Sequence, residues 1–100
     1  MKVTLHIKDN RFRNREEMEM FVHDVRRIAS IGRKDPLRYS YIQDDDTHRL
    51  SKAFVVFNVK PDEKDFIISN INYELGDSIY SIDIRRGDIV NQEDTGTDFD

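Results

Sequence analysis

The order of two hydrophobic periods along the chain is what most constrains its fold. Residues 2–8 alternate, with Val3, Leu5 and Ile7 against Lys2, Thr4, His6 and Lys8, the period-two pattern of a half-buried strand. Leu37 to Ile42 repeats the pattern with Leu37, Tyr39 and Tyr41. Leu50 to Val59 repeats it with Ala53, Val55, Phe57 and Val59. Ser78 to Arg86 is a fourth run, with Tyr80, Ile82 and Ile84 on its apolar side and Ile89-Val90 as an extension.

Two segments change to a helical period. Met18, Phe21, Val22, Val25, Ile28 and Ala29 follow at spacings of three and four, one stripe of an amphipathic helix. Asn14 suits its N-cap, and Glu17 three residues later completes a capping-box pattern. Glu16, Glu17 and Glu19 sit where the helix dipole favours anions, and Gly32 suits the C′ position. Pro61-Asp62-Glu63 opens the second helix. Its buried stripe is Ile67, Ile68, Ile71 and Leu75, with Phe66 alongside, and Gly76 ends it. Asp35-Pro36 marks a loop, and the polar turn at Asp44-Asp45-Asp46-Thr47 joins the middle strands as a hairpin.

The order strand, helix, strand, strand, helix, strand predicts an α+β, ferredoxin-like βαββαβ domain: a four-stranded antiparallel sheet with two helices on one face. Right-handed crossovers put the first and third strands at the centre and leave the other face open. A chain of 100 residues allows one domain, here 1–90, since its four Gly and two Pro are scattered and form no linker. Residues 91–100 carry Glu93, Asp94, Asp98 and Asp100 and no base, and are expected to be an acidic disordered tail. They account for the whole formal charge of −4, leaving the rest neutral, so the net acidity does not exclude a polyanionic partner. With no cysteine there is neither a disulfide framework nor a thiol site. No apolar run approaches the roughly 18–20 residues of a membrane span, and a soluble, cytoplasmic protein is expected.

Alternation assigns the open face. Lys2, Thr4, His6 and Lys8 come from the first strand, Arg38, Ser40 and Ile42 from the second, Leu50, Lys52, Phe54, Val56 and Asn58 from the third, and Ile79, Ser81, Asp83 and Arg85 from the fourth. An apolar patch of this kind marks an interaction site. The leading expectation is a non-catalytic interaction or regulatory protein, in the style of a phage or mobile-element accessory protein. It would bind a protein partner or a second copy of itself through Leu50, Lys52, Phe54, Val56 and His6. The alternative is a single-stranded RNA- or DNA-binding module. There His6 and Phe54 would stack on bases while Lys2, Lys8, Arg11, Arg13, Lys52, Arg38 and Arg85 hold phosphates.

Leu50-Ser51-Lys52-Ala53-Phe54-Val55-Val56-Phe57 resembles the third-strand signature of RNA-recognition-motif domains, with Ala53, Phe54, Val55 and Phe57 at matching places. Lys52 stands where that family carries a second stacking aromatic, Ser51 where it carries glycine, and His6 where its first strand carries Phe or Tyr. Phe57 to Ile84 is also similar to other ferredoxin-like modules, including the small ribosomal protein of this topology.

Elsewhere the residues suggest structure in preference to chemistry. Phe12, in the basic loop Lys8–Arg15, is expected to pack on the domain rim. Asp44, Asp45, Asp46 and His48 could supply metal ligands, but the sixth and twelfth places from Asp44 hold Arg49 and Val55 in place of the EF-hand's glycine and glutamate, so a solvated hairpin tip is expected. His6, His23 and His48 do not converge, and no nucleophile elbow or phosphate-binding glycine loop occurs. No catalytic residue, metal site, cofactor or small-molecule substrate is assigned.

Overall fold

The computed structural model describes residues 1–87. Its elements are β1 (Lys2–Ile7), α1 (Arg15–Ala29), β2 (Leu37–Gln43), β3 (Leu50–Asn58), α2 (Lys64–Leu75, entered through a 3-10 turn at Pro61–Glu63) and β4 (Ile79–Arg85). The strands form one antiparallel sheet in the order β2-β3-β1-β4, the ferredoxin-like βαββαβ arrangement. Ile89-Val90 and the acidic segment 91–100 lie outside the described residues. No helix among the described residues is long and apolar enough to cross a membrane.

Helix α1 starts as its sequence dictates. The Asn14 side-chain oxygen accepts the Glu17 N–H at 3.0 Å, satisfying one of the donors that a helix start leaves unpaired. The Glu17 carboxylate accepts the Arg13 N–H at 2.8 Å, one residue earlier than in the reciprocal capping box. The helix ends at Ser30 in the left-handed conformation, φ 57°, two residues before the glycine expected to cap it. Gly32 instead donates its N–H to the Asp35 carboxylate.

A single core lies between the helices and one face of the sheet. Val3 and Leu5 of β1, Val55 and Phe57 of β3, Met18 and Val25 of α1 and Ile71 of α2 are fully buried. Each such side chain contributes about 1.5–3 kcal/mol of apolar transfer. Phe12 joins this core and tilts against Phe21 with ring centroids 5.3 Å apart. Phe66 does not join it: α2 buries Ile67 and Ile71 and leaves Phe66 71% exposed.

Two strands break the alternation, and both breaks correct the sequence assignment. Leu50 was expected on the open face, yet it is 3% exposed and part of the core. The cause is a β-bulge. Ser40 pairs with Phe54 and Ile42 with Ser51, so Lys52 and Ala53 of β3 together oppose Tyr41. The extra residue reverses the phase, and Leu50 and Ala53, three apart, both point inward. Lys52 takes up the turn at φ 50°, and its N–H donates to Asp9 Oδ1 at 2.9 Å. The second break is in β4. His6 pairs with Ser81 but Ile7 with Ile79, leaving Tyr80 as the extra residue. Ile79 therefore turns into the core, and Tyr80, expected inside, is 77% exposed.

Candidate functional site

The pairing register arranges the open face in rows across the sheet. Ser40, Phe54, His6 and Ser81 form one row, and Arg38, Val56, Thr4 and Asp83 the next. Asn58, Lys2 and Arg85 form a third. His6 and Phe54 are half-buried cross-strand neighbours, with ring centroids 6.5 Å apart and planes tilted by 57°. Ser40 in the same row is almost wholly buried, and its hydroxyl has no hydrogen-bond partner among the described residues.

The two bulges flank the C-terminal end of β1, one on each side, and add to this first row. They bring Tyr80 and Lys52 to it, and Asp9 follows directly after β1. His6, Asp9, Lys52, Phe54, Tyr80 and Ser81 line a shallow depression of about 740 Å³. Bulges commonly re-aim side chains beside functional sites. The left-handed Lys52 costs roughly 1–2 kcal/mol relative to an ordinary strand residue, a strain the surrounding structure has to hold in place.

The cations predicted to serve this face divide into two groups. Lys2, Lys8 and Arg38 have no ion-pair partner among the described residues. Arg85 is paired with Asp83 at 3.0 Å. Arg13 is paired with Glu17 at 3.0 Å, and Arg11 donates to the Ser78 hydroxyl at 3.0 Å. Arg11 and Arg13 belong to the loop that closes β1 onto α1, and both are engaged there. Of the predicted anchors, Lys52, Phe54, Val56 and His6 lie on the open face and Leu50 does not. Sequence reading missed Tyr80 and Asp9. The spacing Ile79-Tyr80-Ser81-Ile82, an apolar pair three apart inside a strand, was the available signal for Tyr80.

Other clusters are tied up internally. The groove between the helices holds Asp24 and Glu74, but Arg27 reaches both, at 3.6 and 3.2 Å. At the hairpin tip, Asp44 Oδ1 accepts the N–H groups of Asp46 and Thr47 at 2.7 and 3.1 Å, so this carboxylate closes its own turn. Among the described residues no three His, Asp or Glu side chains gather as a metal site requires.

Comparison with protein-family models, characterised proteins and solved structures returns no match.

Proposed function

We propose that the open sheet face is a stacking platform for single-stranded nucleic acid and that the protein acts by binding, without catalysis. One observation carries this reading: two bulges bring Tyr80 and Lys52 beside His6 and Phe54, on a face where Lys2, Lys8 and Arg38 have no carboxylate partner among the described residues. Three rings framed by cations suit bases that stack while phosphates pair with Lys and Arg. The same bulges turn Leu50 and Ile79 into the core. The patch thereby loses two aliphatic anchors and gains a ring, which favours a base over an apolar protein surface. The third-strand likeness to RNA-recognition motifs points the same way. There the family carries a second ring on the third strand, and here β4 offers Tyr80. A reducing cytoplasm, which a cysteine-free chain suits, goes with this reading.

The test is anisotropy titration of a fluorescent random single-stranded oligonucleotide at two salt concentrations. Three phosphate contacts give a salt slope of about −2, which is roughly a twentyfold loss of affinity between about 50 and 200 mM. Tyr80→Ala and Phe54→Ala are each expected to weaken binding roughly 5- to 150-fold, the range for removing one stacked base contact. Absence of binding at about 50 mM, or binding indifferent to salt, refutes the platform.

A second reading seats a protein partner or a second copy of the chain on the same face. Ile42, 40% exposed, and the half-buried Val56 supply its apolar content. A concentration-dependent mass in light scattering, with no oligonucleotide binding, would select it.

A further inference from the structure

The depression at the bulged end of the sheet combines three kinds of group. It has rings (His6, Phe54 and Tyr80), a carboxylate (Asp9) and an ammonium (Lys52). The carboxylate is oriented before any ligand arrives, because Oδ1 accepts the Lys52 N–H at 2.9 Å. Oδ2 has no partner among the described residues. An ionised carboxylate only accepts hydrogen bonds and an ammonium only donates them. The depression therefore has both an acceptor and a donor residue in its lining, together with the rings. A ligand that uses both needs adjacent donors next to adjacent acceptors on a flat ring. Guanine has this pattern: N1–H and the N2 amino group beside O6 and N7. Adenine and cytosine offer one amino group next to a ring-nitrogen acceptor that would face the carboxylate, and uracil one N–H between two carbonyls.

From this juxtaposition we infer that the depression is a guanine pocket, with Asp9 reading N1–H and the N2 amino group and Lys52 reading O6 and N7. The inference rests on the platform reading and gives it a base preference. Asp9 is then the specificity-determining residue. The strained bulge has a role as well, since it sets the Lys52 N–H where it fixes the Asp9 carboxylate.

The experiment compares single-stranded oligouridylates carrying one central guanosine, inosine or adenosine, titrated against the full chain. Inosine lacks only the N2 amino group. The guanosine strand is expected to bind roughly 5- to 150-fold more tightly than the adenosine strand, the range for one good bidentate base contact, with inosine between them. Asp9→Asn keeps an oxygen to accept the Lys52 N–H but turns the outer atom into a donor. It should erase the order guanosine, inosine, adenosine, which is read as the ratio of affinities among the three strands on the same variant. Lys52→Met should reduce the guanosine advantage by itself, and urea midpoints verify that both variants fold. If either fails to fold, the three strands on the unchanged protein still decide. Equal affinity for all three overturns the pocket and leaves the platform standing, whereas no binding by any strand overturns both. A deoxyguanosine strand and free guanosine monophosphate separate the sources of the base. Competition by the free nucleotide at the strand's own concentration would identify a mononucleotide ligand and still support the pocket.

Discussion

Lys52→Gly is expected to stabilise the protein while weakening its binding. Lys52 has a φ of 50°, at a type of bulge position that glycine usually occupies. A side chain there costs roughly 1–2 kcal/mol. Glycine removes that cost but leaves the unfolded chain more freedom, which offsets about 0.4–1 kcal/mol. The net gain is about 0.5–1 kcal/mol. With a urea m-value of about 1–2 kcal/mol/M, the midpoint should rise by about 0.5 M. Lys52 is exposed and its side chain has no ion-pair partner among the described residues, so no contact is lost to reverse the sign. Lys52→Ala is the control: it keeps the strain and should leave the midpoint close to wild type. Both variants lose the ammonium and should bind a guanosine-containing single strand roughly fivefold or more weakly, the lower end for a base contact of this kind. Urea unfolding followed by far-UV circular dichroism reads the first effect, and anisotropy the second. A midpoint that falls in Lys52→Gly by as much as in Lys52→Ala, or rises in both alike, refutes the reasoning. Strain at this residue would then not be what the ammonium's position costs.

Three further perturbations test other links. Leu50→Ala should destabilise by about 2–5 kcal/mol, as a buried leucine does, whereas Ile42→Ala on the open face should cost under about 1 kcal/mol. Equal urea midpoints for the two would put Leu50 outside the core. Glu17 accepts the Arg13 N–H and lies against the Arg13 guanidinium, which holds its carboxyl below the ordinary glutamate value. A lowered folded value adds stability above the unfolded value, near pH 4.3, and loses it as the pH falls through the folded value. Thermal melts should therefore find Glu17→Gln less stable than wild type at pH 7, with the gap closing towards pH 2.5. A gap that widens in acid contradicts the sign. Removing residues 91–100 takes away four acids and no base and brings the formal charge from −4 to zero. Oligonucleotide affinity at about 50 mM salt should rise on that truncation, and an unchanged affinity would show that this segment's charge does not act on the binding face.

The fold was legible because each element carried its own local pattern. The strand alternations, the Asn14 cap and the stripe from Met18 to Ala29 fixed the element order, and right-handed crossovers then allowed one sheet order. The site was less legible because alternation was read with a constant phase, and a bulge is a change of phase. Leu50-Ser51-Lys52-Ala53 and Ile79-Tyr80-Ser81-Ile82 share one local signature: an apolar pair three apart, with two residues between them, inside a strand. Followed at constant phase, that spacing puts one apolar residue outward in each strand, as Leu50 and Ile79 were assigned. Burying both members requires an extra residue, and the pairing register supplies it in both strands. No local pattern indicates Asp9, because its hydrogen bond to the Lys52 N–H joins residues 43 apart in the chain. What brings them together is the pairing of β1 with β3, on which the sequence bears only through the fold. The two corrections and the two missed residues, Tyr80 and Asp9, therefore have one origin. They occur where β3 and β4 each depart from regular pairing beside the end of β1, and that departure creates the only place on the open face where rings, a fixed carboxylate and an ammonium line one depression among the described residues.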